Sequence, residues 1–193
     1  MAKLHFFYST MNAGKSTSLL QANHNYKEAG LETMVFIPKE MEAFSDGKIV
    51  SRIGLEKKAI IADKNLNFLQ YIKDNKTKNL ACVLIDEAQF LTKQQIMQLG
   101  EVADTMSFPV LCYGIRTDFK GELFEGSSTL LALADNLIEL KTICSICARK
   151  ATMVVRLNSK GEVLKEGSQL KLGGNDIYKV VCRKHFRKLT KLI

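Results

Sequence analysis

Proline is scarce in this chain, at two residues, and the apolar segments are short, such as ACVLID at 81–86 and TLLALA at 129–134. So few prolines exclude a proline-rich chain, and twelve glycines without a repeating period exclude a collagen-like one. An apolar fraction of 46% excludes a disordered chain. No run approaches the roughly 20 apolar residues that cross a bilayer. The N-terminal MAKLHFFYST carries one lysine and no extended apolar stretch ending in small residues. It does not read as a secretory signal, and a cytoplasmic location is the expectation. What is present, 193 residues, suffices for a full core and suits one ordinary domain with at most a small appendage.

The chain has 28 basic and 20 acidic residues, a net charge of +8, unevenly placed. Residues 149–193 hold twelve Lys or Arg against three acids, a net of +9, which leaves the first 148 residues at −1. Such asymmetry suits a nucleic-acid-binding tail, a solvated basic face, an acidic partner subunit or an anionic substrate, with nucleic acid the less favoured. The cysteine count, five, is odd and does not suit a fully paired disulfide framework. Cys82 and Cys112 stand inside the apolar runs ACVLID and PVLCYGI, as buried inert thiols do. Cys144, Cys147 and Cys182 stand apart.

The pattern along the chain alternates. LHFFY at 4–8 reads as a strand, STMNAGKST as a loop, and SLLQANHNYKEAG as a helix ending at Gly30. TMVFIP at 33–38 is a second strand, and the polar stretch to about 55 reads as loop. KAIIA at 58–62 is a short strand and NLNFLQYIKD at 65–74 a helix. CVLIDEA (strand), TKQQIMQLGEVADTM (helix, N-capped by Thr92), PVLCYGI (strand), STLLALAD (helix) and NLIELK (strand) follow. This predicts an α/β fold: a mostly parallel sheet with helices on both faces, over residues 1–141. After Lys141 short strands at TMVVRL (152–157), QLKL (169–172) and YKVVC (178–182), with glycine-bearing turns, predict a β-rich subdomain over 142–193.

Ser9-Thr10-Met11-Asn12-Ala13-Gly14-Lys15-Ser16 matches the phosphate-loop pattern GxxxxGK[ST] at every specified position but the first. Between a strand and a helix, its backbone N–H groups and the positive helix end would converge on a polyphosphate. Lys15 would reach the β- and γ-phosphates and the Ser16 hydroxyl would ligate Mg²⁺. The alternative is a Gly-Lys-Ser at an ordinary helix start. The missing first glycine removes a residue that eases a tight turn. CVLIDEAQF sets Asp86 and Glu87 at the end of an apolar strand, where a phosphate-loop protein carries its Mg²⁺-binding aspartate. In a parallel sheet both motifs open onto the crevice at the carboxyl ends of the strands. Glu87 suits a general base acting on the nucleophile that attacks the γ-phosphorus, against the alternative of a solvated strand-end acid. Together the motifs predict nucleoside triphosphate binding.

Cys144-Ser145-Ile146-Cys147 and Cys182-Arg183-Lys184-His185 are two knuckles that supply a closed Cys₃His set for a structural zinc ion. The alternative, a redox CxxC, should open a helix after a strand. His5 and His24 lack ligand spacing.

In combination, FYSTMNAGKST, SRIG, VLIDEAQFL, LCYGIRTDFKGELF, ELKTICSICARKA, GGNDIY and VCRKH resemble, in order and spacing, the type II thymidine kinase family. These are the small zinc-containing kinases related to the cytosolic human enzyme, and the likeness is nearest the enterobacterial form. Ser9 departs from the glycine common in that family's loop and is similar to the serine of its enterobacterial members. The resemblance implies a phosphate-loop, RecA-like fold and transfer of the γ-phosphoryl of ATP, with Mg²⁺, to the 5′-hydroxyl of thymidine or deoxyuridine. It implies a nucleotide-binding set of Ser9 to Ser16 (Thr10, Met11, Asn12, Ala13, Gly14 and Lys15 between them) with Asp86, Glu87, Ala88 and Gln89. Glu87 is then the catalytic base and Arg52 a phosphate contact. Phe90, Phe119 and Phe124 line the thymidine pocket, against the alternative of simple core packing for all three, which is strong for Phe90 and weaker for Phe119, between Asp118 and Lys120. Gln169, Leu170, Lys171, Leu172, Gly173 and Tyr178 form a lasso that closes over the nucleoside. Cys144, Cys147, Cys182 and His185 hold the zinc that anchors this lid. A homotetramer is implied, with no membrane or nucleic-acid partner. The competing expectations are a phosphate-loop ATPase whose zinc ribbon acts on nucleic acid, which needs further motifs, and a non-catalytic nucleotide-binding regulator.

Overall fold

The computed structural model describes residues 2–42, 46–51, 54–169 and 177–191. In chain order the first half contains β1 (Leu4–Ser9), α1 (Lys15–Glu28), β2 (Glu32–Pro38), β3 (Lys48–Val50), β4 (Glu56–Lys58), β5 (Ile60–Ala62), α2 (Phe68–Asn75) and β6 (Leu80–Ile85). Then come α3 (Lys93–Met106), β7 (Val110–Ile115), α4 (Glu125–Leu133) and β8 (Asn136–Glu139). The remainder holds β9 (Thr142–Ile143), β10 (Lys150–Ala151), β11 (Met153–Leu157), β12 (Val163–Leu164), β13 (Tyr178–Val181) and α5 (Arg183–Thr190).

Six strands form one parallel sheet in the order β5-β2-β6-β7-β1-β8. Parallel neighbours need crossovers, which α1, α2, α3 and α4 supply. The period of two in each strand divides the core. Phe6, Phe36, Val83, Ile85 and Cys112 face α2, α3 and α4 through Phe68, Ile72, Ile96, Leu99, Val102 and Leu130. Val35, Ile37, Cys82, Leu84 and Tyr113 face Leu19 and Leu20 of α1. Phe36 meets Phe68 edge-on at 5.1 Å between ring centroids; each such fully buried side chain contributes about 1.5–3 kcal/mol. Burial pushes the Cys82 thiol up to about 12 and raises that of Cys112 as well, so both are inert apolar fillers. α3 starts as its sequence predicts: Thr92 Oγ1 accepts from Gln95 N at 3.2 Å and Gln95 Oε1 from Thr92 N at 3.1 Å.

The chain leaves β1 through α1 toward β2 on one side and enters β8 from β7 on the other. The point between β1 and β7 where the winding reverses opens a crevice at the carboxyl ends of the strands. Beyond it, β9 and β10 form an antiparallel hairpin, and β12-β11-β13 a small antiparallel sheet against α5.

The differences from expectation lie where the pattern is short. A β3–β4 hairpin occupies the stretch read as loop, because only Ile49 of it is buried. KAIIA is divided, Lys58 closing β4 and Ile60 opening β5. α5 begins within the second knuckle, directly after Cys182, and was not anticipated, although Phe186, Leu189 and Thr190 have helical spacing. Of the predicted QLKL strand, Gln169 lies in a bend, and Leu170, Lys171 and Leu172 lie outside the described residues.

Candidate active site

β1 delivers the loop of residues 9–14 to the crevice, and Gly14, at φ 73°, turns it into α1. α1 has no side-chain cap and no acid in its first turn, so its positive end suits an anion. Lys15 is buried and donates to the carbonyl of Thr10 at 2.9 Å. The serine at the first loop position has its own physical reason. The left-handed residues of the loop are Asn12, at φ 61°, and Gly14, not Ser9. The Ser9 hydroxyl donates to Leu140 O at 2.6 Å, fastening the loop to the end of β8.

β6 ends at Ile85 and sets Asp86 opposite the loop, where Ser16 Oγ donates to Asp86 Oδ2 at 2.8 Å. Burial raises the Asp86 carboxyl, the neighbouring charge of Glu87 adds to this, and Ser16 and Lys15 act against it. A divalent cation held between Asp86 and Ser16 would favour the charged form. The Ser16 hydroxyl and the buried Asp86 carboxylate are hard oxygen donors of the kind Mg²⁺ takes together with phosphate oxygens, and the adjacent Lys15 ammonium offers those phosphate oxygens a positive charge. Glu87 follows in the left-handed region, at φ 50° and ψ 37°, a strained setting for a side chain without special need of it. Gln89 holds that setting: its Nε2 donates to Glu87 Oε2, and its Oε1 accepts from Ile115 N at 3.1 Å at the end of β7.

Residues 88–90 form a 3₁₀ turn against the start of α4. A Cβ on Gly126 would stand 2.4 Å from Ala88 O and 2.8 Å from Leu91 O. Gly126→Ala is therefore expected to cost about 1–3 kcal/mol of stability, read as a lower urea midpoint at unchanged slope. An unchanged midpoint would show that the turn yields freely.

These groups border a cavity of about 410 Å³. Met11, Asn12, Ala13, Gly14, Lys15 and Ser16 of the loop line it together with Glu87, Gln89, Phe90, Phe119, Phe124, Gln169 and Tyr178. Ser9, Thr10, Asp86 and Ala88 are buried around it without lining it. Phe90 is half-buried and meets Phe124 edge-on at 5.6 Å, while Phe119 is only 1% exposed. Phe119 is set by a turn in which Asp118 Oδ1 accepts from Lys120 N at 2.8 Å and Glu122 N at 2.9 Å.

Cys144, Cys147, Cys182 and His185 point their ligand atoms together, all within 4.8 Å of one another. Cys147 Sγ to Cys182 Sγ is 3.8 Å, and His185 Nδ1 lies 3.5 Å from Cys144 Sγ and 3.3 Å from Cys182 Sγ. A tetrahedron with Zn–S near 2.3 Å and Zn–N near 2.0–2.1 Å has edges of about 3.8 and 3.5 Å, so the set fits zinc. Burial acts to raise the Cys144 thiol, but the backbone amides of Ile146, Cys182 and Cys147, with His185, outweigh it and lower the thiol to about 6. That favours the thiolate a metal requires.

The family model described as thymidine kinase matches residues 2–186. The chain belongs to the thymidine kinase family. It is 56% identical over 189 residues to the thymidine kinase of Coxiella burnetii, covering 97% of this chain and 96% of that one. The identity is 54% over 189 residues to that of Haemophilus influenzae, with 97% of each covered. It is 52% over 188 residues to that of Salmonella paratyphi A, with 97% and 91% covered. Among solved structures, the Pif1 helicase from Candida albicans gives a TM-score of 0.41 at 17% identity, over 74% of this chain and 36% of that one, too loose to inform fold or activity.

Within this family member, Arg52, Leu170, Lys171, Leu172 and Gly173 lie outside the described residues. Sequence reasoning missed other residues on the cavity wall, Val154 and Arg156 above all. The signal was the alternation of β11, whose Met153 and Val155 enter the small core while Val154 and Arg156 face the cavity. It also missed Thr142, whose hydroxyl donates to Asn12 O at 2.9 Å and joins the zinc hairpin to the phosphate loop. Among the described residues, no helix is long and apolar enough to cross a membrane.

Proposed function

We propose that this chain transfers the γ-phosphoryl group of ATP to the 5′-hydroxyl of thymidine, and of deoxyuridine, yielding the 5′-monophosphate for pyrimidine salvage. The observation that carries the reading is one cavity lined by the phosphate loop, by Glu87 and by the aromatic side chains of Phe90, Phe119, Phe124 and Tyr178, in a thymidine kinase family chain. ATP phosphates lie on the N–H groups of residues 11–16, with Lys15 moving from the Thr10 carbonyl to the β- and γ-oxygens. Arg52 adds a further phosphate contact. The thymine ring stands between Phe90, Phe119 and Phe124. Glu87 takes the 5′-hydroxyl proton as that oxygen attacks the γ-phosphorus and ADP leaves, and Gln89 orients the Glu87 carboxylate. Ser16 and Asp86 hold the Mg²⁺ that neutralises charge on the phosphoryl group being transferred.

Residues 142–193 act as a second unit, a lid carried by residues 1–141. Zinc on Cys144, Cys147, Cys182 and His185 fixes both ends of the segment that contains Gln169, Leu170, Lys171, Leu172, Gly173 and Tyr178. This segment closes over the nucleoside and excludes water from the transfer. We assign the enzyme to the cytoplasm as a homotetramer, on its likeness to the zinc-containing thymidine kinases.

A second reading, a phosphate-loop ATPase acting on nucleic acid, draws on the exposed Arg183, Lys184, Arg187 and Lys188 of α5. One experiment separates them. Incubation with γ-labelled ATP, Mg²⁺ and thymidine is expected to give labelled thymidine monophosphate, and added DNA to leave ATP turnover unchanged. ATP hydrolysis stimulated by DNA, with no labelled monophosphate, would establish the second reading in place of the first.

A further inference from the structure

We propose that Arg156 is the positioning residue of the part of the cavity wall that carries Phe119, Gln169 and Tyr178, holding Phe119, Tyr178 and the chain at 168–169 as one unit and thereby setting affinity for the nucleoside. The proposal rests on the reading of that wall as part of a thymidine pocket.

Arg156 is 2% exposed. The ion pairs among the described residues are Lys48–Glu56, Lys64–Glu40, Lys120–Glu122 and Lys150–Glu139, and Arg156 is in none of them. A guanidinium removed from water without a counter-ion carries a heavy desolvation cost, so its retention at a cavity wall calls for a compensating arrangement. The arrangement is made of neutral acceptors. Nε and Nη2 donate to Tyr178 Oη at 3.1 and 2.8 Å. Nη1 donates to Ser168 O at 2.7 Å and Nη2 to Gln169 O at 3.1 Å. The guanidinium carbon stands 3.9 Å from the centre of the Phe119 ring, within cation–π range of its negative face.

One planar group thus joins three segments that are distant in sequence: the turn bearing Phe119, strand β13, and the chain entering residues 170–176. Gln169 closes the ring from the other side, its Nε2 donating to Asp118 Oδ2 at 3.2 Å next to Phe119. The geometry demands a fork. Two bonds to one phenol oxygen, two to successive carbonyls and a face laid on an aromatic ring exceed what the single ammonium of lysine can supply.

Steady-state kinetics with thymidine and ATP varied separately test this on wild type, Arg156→Met, Arg156→Lys, Tyr178→Phe and the Arg156→Met/Tyr178→Phe double variant, with zinc content measured for each. Arg156→Met is expected to raise the KM for thymidine about 10- to 100-fold, the range for lost bonds to a charged group, with KM for ATP within about threefold and zinc retained. Arg156→Lys is expected to recover only a minor part of the loss. Tyr178→Phe should raise the thymidine KM about fivefold, and the double variant should be no worse than Arg156→Met alone, because the two changes remove one interaction. A thymidine KM near wild type in Arg156→Met, an equal rise in both KM values, or effects that multiply in the double variant would overturn the proposal. Should Arg156→Met fail to fold, Arg156→Lys and Tyr178→Phe decide it: a raised thymidine KM in both supports it and wild-type values in both overturn it. A wild-type chain that makes no thymidine monophosphate would remove the pocket reading itself, and the proposal's premise with it.

Discussion

Glu87→Gln is expected to lower the turnover of thymidine by roughly 10²–10⁴-fold while the dissociation constant of an ATP analogue stays within about threefold. The large effect follows from the chemistry: the hydroxyl of a nucleoside gives up its proton reluctantly, and an amide cannot take it. The small effect follows from the geometry. Glutamine has the same length and branching, and its amide oxygen can accept the bond that Gln89 Nε2 now donates to Glu87 Oε2. The strained backbone at φ 50° is held by its neighbours, with Glu87 N donating to Asp86 Oδ1 at 3.0 Å and Gln89 fastened to Ile115. Ser16, Asp86 and Lys15 are not touched by the change. The measurement pairs kcat with analogue binding by titration. Turnover above a tenth of wild type would exclude Glu87 as the base, and lost analogue binding would assign it to holding the nucleotide.

How far such a site can be read from sequence depends on how local its residues are. The phosphate loop was legible because its contacts are successive backbone positions, and Asp86 and Glu87 because a strand that is apolar on both faces ends abruptly in charge. The parallel character of the sheet was open to the same reasoning, since a parallel strand buried on both sides shows as a continuous apolar run, whereas its strand order is set by crossovers that leave no such mark. The zinc set was legible from its spacing. Arg156 was not: its meaning depends on Phe119, Tyr178 and Ser168, which only the fold brings to it, and a basic residue in a basic stretch reads as surface. Ser9 was read as the loss of a helpful glycine, whereas its hydroxyl fastens the loop to Leu140, a partner 131 residues away. The β3–β4 hairpin failed for a different reason, as one buried residue in six leaves no pattern to find.

Cys144→Ser is expected to abolish stoichiometric zinc binding, to unfold the segments at 142–169 and 177–191, and to weaken thymidine binding at least about 100-fold, with the six-stranded sheet intact. The small core around the metal is the reason. Cys144 and Cys182 are two of the eight buried residues that pack there with Ala151, Met153, Val155, Val180, Val181 and Phe186. So little apolar surface cannot offset the ordering of this many residues, and structural zinc supplies about 10–16 kcal/mol in zinc-finger peptides. The damage reaches past the pocket. Met11 of the phosphate loop packs against this core, and the Thr142 hydroxyl, two residues before the first ligand, holds the carbonyl of Asn12. ATP-analogue affinity should therefore fall as well, by about 3- to 10-fold, the worth of one such bond and its packing. Hydrogen exchange separates the two regions, fast across the zinc unit and still protected in β1, β6 and β7, and chelation of the wild-type metal should reproduce the pattern. A variant with full zinc content and wild-type thymidine affinity would show that Cys144 is no ligand, and unchanged ATP-analogue affinity in a zinc-free chain would show that the phosphate loop stands without this support.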